Sequence, residues 1–92
     1  MMNLQTLFTL KGKTALITGG SRGVGAMIAE GLVAAGCRTY ISSRTAADCE
    51  GMAERLGDYP ADCIALPADI SSVEGIEALV AALSRLENTV DI

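Results

Sequence analysis

The sequence has no histidine and no tryptophan, and its rings are limited to Phe8, Tyr40 and Tyr59. Imidazole acid–base chemistry and imidazole metal ligation are thereby excluded, and aromatic platforms for stacking nucleic-acid bases are scarce. Three cysteines, Cys37, Cys49 and Cys63, form neither an even set nor a C-x-x-C pair. A disulfide framework and a zinc site are therefore unsupported, the expected role of the thiols is packing, and a reducing cytoplasm fits. Basic residues are outnumbered seven to eleven, giving a net charge of −4 and an isoelectric point near 4.5. With no Lys/Arg cluster, neither nucleic acid nor an anionic membrane is expected as the main partner. No apolar run approaches the ~18 residues of a spanning helix. The short stretch Leu7–Leu10 has no basic flank or cleavage pattern, so a soluble chain without a signal peptide is expected. What remains is 92 residues, half of them apolar, with a mean hydropathy of +0.38. That is enough for one small domain, or part of one, around a buried core.

The hydrophobic period alternates between strand-like and helix-like, with no repeat, linker or low-complexity tract. Lys13–Thr18 is a short apolar run ended by Gly19-Gly20, as expected of a strand covered on both faces. From Val24, the residues Met27, Ile28, Gly31, Leu32 and Ala35 recur at helical spacing, and Gly36 suits a left-handed helix end. Thr39–Ser42 predicts a second strand. Thr45 then opens a helix with Cys49, Met52, Ala53 and Leu56 on its apolar face and Gly57 as its stop. Cys63–Leu66 predicts the third strand. Ser71 and Glu74 have capping-box spacing ahead of a helix presenting Val73, Ile76, Leu79, Val80 and Leu83 on one face. Val90-Asp91-Ile92 reads as the opening of a fourth strand. The fold class is α/β, the N-terminal part of a doubly wound parallel (Rossmann) sheet in the order β-α-β-α-β-α. Right-handed crossovers put the third helix on the opposite face from the first two.

In such a sheet a ligand lies over the C-terminal ends of the strands, where Gly19–Gly25, Ser42–Arg44 and Asp69-Ile70 converge. Thr18-Gly19-Gly20-Ser21-Arg22-Gly23-Val24-Gly25 joins strand to helix, and its glycines allow backbone N–H groups to approach a phosphate at the helix N-terminus. The bland reading is a packing device in which Gly23, Gly25 and Gly31 let helix and sheet come close. Gly25 is followed by Ala26-Met27 rather than Lys-Ser/Thr, which disfavours a triphosphate-cleaving site. About 20 residues beyond the glycines, NAD sites present an acid to the ribose. Here Ser42-Ser43-Arg44 stands instead. A guanidinium pairs with a 2′-phosphate that a carboxylate would repel, so Arg44, with Arg22 and Ser43 in support, points to NADP(H). The alternative is two solvated arginines. Asp69 either accepts from the adenine amine or caps the loop ahead of the third helix.

On these residues the sequence resembles the N-terminal part of a short-chain dehydrogenase/reductase. Thr-Gly-x-x-x-Gly-x-Gly matches Thr18 to Gly25, and the likeness continues through Arg44, Ala68-Asp69-Ile70 and Val90-Asp91-Ile92. Its look is that of the NADP(H)-preferring branch near 3-oxoacyl-carrier-protein reductases, including those linked to rhamnolipid synthesis. The resemblance implies that Thr18, Gly19, Ser21, Arg22, Gly23, Val24 and Gly25 bind the pyrophosphate side of NADP(H). It implies that Arg22 and Arg44 hold the 2′-phosphate, and Asp69 and Ile70 the adenine. It also implies hydride transfer with a carbonyl or alcohol substrate, such as a 3-oxoacyl thioester, in a homo-oligomer. The family's Asn-Asn-Ala-Gly turn, catalytic Ser and Tyr-x-x-x-Lys pair do not occur; Tyr40 is followed four residues on by Arg44, and Tyr59 by Cys63. No catalytic residue and no metal ligand is assigned.

Residues 1–92 are therefore expected to be the dinucleotide-binding part of one Rossmann domain, truncated at Ile92, and poorly stable alone because the first strand keeps an open edge. The alternative is a complete, non-catalytic nucleotide-binding or interaction module. A methyl-donor site is disfavoured because the first strand ends in Thr18 rather than an acid.

Overall fold

The computed structural model describes residues 10–19, 23–57 and 61–92. Three strands, β1 (Thr14–Thr18), β2 (Arg38–Ser42) and β3 (Cys63–Ala65), alternate with helices α1 (Gly23–Ala34), α2 (Ala46–Leu56) and α3 (Val73–Leu86). All pairings are parallel in the order β1-β2-β3, with Leu16 opposite Tyr40 and Tyr40 opposite Ile64. Each strand lies within one residue of its expected bounds. Leu66, expected inside β3, falls just beyond it but still donates its N–H to the Ile41 carbonyl at 2.8 Å.

Strand alternation sends Ile41 to one face and Tyr40 to the other. Ile41 joins Ala29 and Val33 of α1, Cys49 and Met52 of α2, and Cys63 in one buried cluster. Cys37, Cys49 and Cys63 are all buried free thiols, and burial raises the Cys37 and Cys63 thiols above their ordinary value. On the other face, Tyr40 and Arg38 reach Glu87, the residue that ends α3. The third helix therefore belongs to the opposite layer, as right-handed connection requires.

Two apolar faces differ from expectation. In α1 the buried residues are Ala29 and Val33, whereas Met27 and Ile28 are exposed. Glu30 is the helix's only charged residue, so its sequence carries little signal for which apolar side faces the sheet, and small side chains lie against the strands. In α3 Leu79 and Leu83 are buried, while Val73, Ile76 and Val80 are exposed. The cap of α3 also shifts by one residue. Ser72, not Ser71, is the N-cap, its Oγ accepting from the Gly75 N–H at 3.0 Å. Ser71 is engaged by Asp69 instead. Thr45 occupies the N-cap of α2 with extended backbone but makes no side-chain cap bond. Gly36 and Gly57 follow their helices at φ 89° and 74°, positive values that favour glycine.

Residues 90–92 run along the edge of β1 remote from β2. Ile92 N–H donates to the Thr14 carbonyl at 3.2 Å, and Leu16 N–H donates to the Ile92 carbonyl at 3.0 Å. This is the hydrogen-bond pair of parallel partners about Ala15. The order therefore reads β3-β2-β1 followed by the incoming segment, with the reversal of strand order at β1. The edge expected to be open is partly paired, while Val24, Met27 and Ile28 of α1 and Ile92 remain exposed.

Candidate nucleotide-binding site

Parallel strands deliver their following loops to one end of the sheet, and hydrogen bonds tie those loops together. Gly19 N–H donates to the Ser42 carbonyl at 2.7 Å, and Ala68 N–H donates to the Ser43 carbonyl at 3.0 Å. Between them lies a cavity of about 280 Å³ lined by Thr18, Gly19, Ser42–Arg44 and Ala68–Ser71. Its size is at the lower end of small-molecule sites, which suits one end of an extended dinucleotide. The structure thus brings Thr18, Gly19, Ser43, Arg44, Asp69 and Ile70 to one place. Gly23, Val24 and Gly25 form the first turn of α1, outside that lining. Ser21 and Arg22 lie outside the described residues, as do Gly20 and Tyr59.

The glycine turn is a matter of backbone conformation. Gly19 and Gly23 have φ of 72° and 56°, a region where side-chain-bearing residues are strained. A Cβ at Gly23 or Gly31 would meet nothing within 4 Å, so close helix–sheet approach does not explain these two glycines. The turn delivers the chain to the N-terminus of α1, where unpaired N–H groups and the helix dipole favour an anion.

Two expected side-chain roles look different in three dimensions. The Ser43 hydroxyl donates to the Thr45 carbonyl at 2.9 Å, so phosphate binding would require it to exchange that partner. Asp69 does cap its loop, Oδ1 accepting both the hydroxyl and, at 3.0 Å, the backbone N–H of Ser71. These bonds, with the nearby Arg44 charge, hold its carboxyl below the usual carboxylate range. Among the described residues Oδ2 takes no hydrogen bond, so capping and recognition are compatible. Arg44 is exposed at the rim.

Sequence reasoning missed Gly75. A Cβ there would collide with the Asp69 carbonyl oxygen, so this glycine lets the Asp69 loop fold back on α3. The close approach involves residues six apart with no motif to mark it. A larger hollow of about 530 Å³ lies at the opposite end of the strands, beside Thr14, Arg38 and Glu87. Two of its charged groups are engaged with each other: Arg38 pairs with Glu87 at 2.7 Å, and Tyr40 donates to the same Glu87 oxygen at 2.6 Å. Burial and then this bond push the Tyr40 hydroxyl up to about 12. Tyr40 is therefore committed to holding α3 and is no proton donor at the nucleotide end.

Residues 13–92 match the family model described as short chain dehydrogenase. The chain is 51% identical over 85 residues to the rhamnolipids biosynthesis 3-oxoacyl-[acyl-carrier-protein] reductase of Pseudomonas aeruginosa, covering 92% of this chain and 33% of that protein. It is 34% identical to hydroxynaphthalene reductase arp2 of Aspergillus fumigatus, covering 100% of this chain and 34% of the relative. Among solved structures it superposes on the Pseudomonas aeruginosa RhlG/NADP active-site complex with a TM-score of 0.87 at 48% identity, covering 98% of this chain and 35% of the other. A 3-oxoacyl (acyl-carrier-protein) reductase from Agrobacterium tumefaciens with NADP bound gives a TM-score of 0.85 at 33% identity, covering 98% and 34%. The chain thus spans about a third of the length of these relatives. No helix among the described residues is long and apolar enough to cross a membrane. With the family model matched over residues 13–92 and relatives of this identity and shared fold, this chain belongs to the short-chain dehydrogenase family.

Proposed function

We propose that residues 1–92 are the NADP(H)-binding front part of a single Rossmann domain in an oxidoreductase acting on a carbonyl or alcohol substrate, with a 3-oxoacyl thioester as the substrate class. The observation that carries this reading is Arg44 at the rim of the cavity after β2, where an NAD site carries an acid. A guanidinium there matches the charge of a 2′-phosphate. The NADP of two similar structures supports the same choice.

In this reading the N–H groups of the Gly19–Gly25 turn and the α1 N-terminus hold the pyrophosphate. Arg44, with Arg22 and Ser43, holds the 2′-phosphate, while Asp69 and Ile70 border the adenine. When bound, the nicotinamide supplies the hydride chemistry. This chain contributes binding and orientation. It carries no Tyr-x-x-x-Lys pair, so the proton-transferring groups of the proposed reaction belong to sequence other than these 92 residues. A cytoplasmic homo-oligomer completes the proposal; the three buried free thiols suit a reducing compartment, and the oligomer rests on the family resemblance alone.

Replacing Arg44→Asp in the full-length protein tests the assignment. NADPH affinity is expected to fall by roughly tenfold or more, as for loss of a charge-assisted bond plus added repulsion, with NADH affinity little changed. Equal weakening of both cofactors would remove the 2′-phosphate role. The intact mass of the native product separates this reading from a non-catalytic module: a product of 9.5 kDa could not carry out the proposed catalysis alone.

A further inference from the structure

Ser42 is 1% exposed, and among the described residues its Oγ is the buried side-chain oxygen with no hydrogen-bond partner. Such orphans are uncommon, because an unmade bond costs a buried hydroxyl its lost hydration. The residue is the last of β2 and lines the cavity that Thr18, Ser43, Arg44 and Asp69 share. Strand alternation puts its side chain on the same face as Arg38 and Tyr40, both of which reach Glu87 at the end of α3. Its hydroxyl therefore stands on the side where the Asp69–Ser72 loop enters α3. The Ser42 carbonyl already accepts from Gly19, which fixes the backbone and leaves the side chain to rotate about χ1.

We infer that the Ser42 hydroxyl is a positioning group for the adenosine half of the bound dinucleotide, with its hydrogen bond made when that half fills the cavity. This inference rests on the NADP(H) reading above and adds to it a contact that does not depend on the 2′-phosphate. A hydroxyl both donates and accepts, so the sugar and base heteroatoms shared by NADH and NADPH both suit it. The buried wall supplies a site where one such bond counts for more than at the exposed rim.

The test is Ser42→Ala in the full-length protein, reading dissociation constants for NADPH, NADH and 5′-AMP together with the unfolding temperature without nucleotide. Roughly threefold to tenfold weaker binding of all three ligands is expected, the equivalent of one hydrogen bond. The unfolding temperature should stay level or rise, since the variant removes an orphan. Ser42→Thr, which restores a hydroxyl, should recover part of the affinity. Unchanged affinities would overturn the inference and leave the orphan a packing defect. A marked fall in unfolding temperature would overturn it as well, because the hydroxyl would then have had a protein or water partner. Failure of the underlying reading looks different: wild-type protein would bind none of the three ligands, or would prefer NADH to NADPH.

Discussion

The two faces of the sheet are held by different physics. On the α1/α2 face, Ile41 sits fully buried among Ala29, Val33, Cys49, Met52 and Cys63. There, removal of apolar surface from water fixes the helices without directional bonds. On the α3 face, only Leu79 and Leu83 of the helix are buried, and the contact given by side chains of β2 is polar. One Glu87 carboxylate accepts from Tyr40 at 2.6 Å and Arg38 at 2.7 Å, with a longer approach from the Thr14 hydroxyl at 3.5 Å. Apolar packing tolerates sliding; a carboxylate shared by three strand residues does not. The difference shows how α3 keeps a defined height against the sheet, which in turn sets where residues 90–92 meet β1.

The largest expected effect belongs to the apolar face. Ile41→Ala should cost about 2–5 kcal/mol in denaturant unfolding of the full-length protein; a loss well under 1 kcal/mol would mean that this cluster is not the anchor of the sheet. Gly75→Ala comes next, at about 1–3 kcal/mol from overpacking against the Asp69 carbonyl. It should also weaken NADPH binding by displacing the Asp69 loop. Stability loss with unaltered binding would separate that loop from the site.

Tyr40→Phe removes the hydroxyl from the polar clasp and should cost about 1 kcal/mol. Combined with Glu87→Gln, its effect should be less than additive, since both act on one network. Strict additivity would argue that the clasp is not a unit. The smallest effects are those of pH. Tyr40 and then Arg38 hold the Glu87 carboxyl below the ordinary range. Its stabilisation is thus complete above the unfolded value of 4.5 and is lost as pH falls through the lower folded value. Tyr40 behaves oppositely, because its folded value is raised from 10.0 to about 12. That contribution is present below pH 10 and fades between the two values. A wild-type protein whose acid and alkaline limbs match those of the Tyr40→Phe/Glu87→Gln variant would contradict both assignments.

Much of this was legible along the chain because it depends on near neighbours. The strand runs, Gly36 and Gly57 after their helices, and the Gly19–Gly25 turn follow from residues a few positions apart, and right-handed crossover then decides the layer of each helix. Arg44 was legible for the same reason, its distance from the glycines being set by one helix and one strand. The inward face of α1 was not, since a helix apolar on all sides offers its sequence no preferred direction. Nor was the α3 cap, where Ser71 and Ser72 are equivalent until Asp69 claims the first.

By itself, the sequence determined a parallel α/β sheet, the loops that converge at its C-terminal end and the sign of the charge waiting there, because local period, turn chemistry and chain handedness are short-range properties. Only the tertiary structure decided that Tyr40 is bound to Glu87 across 47 residues, that Gly75 must yield space to Asp69, and that Ser42 carries an unspent hydroxyl. Those are facts about which atoms meet after packing, and no spacing in the chain encodes them.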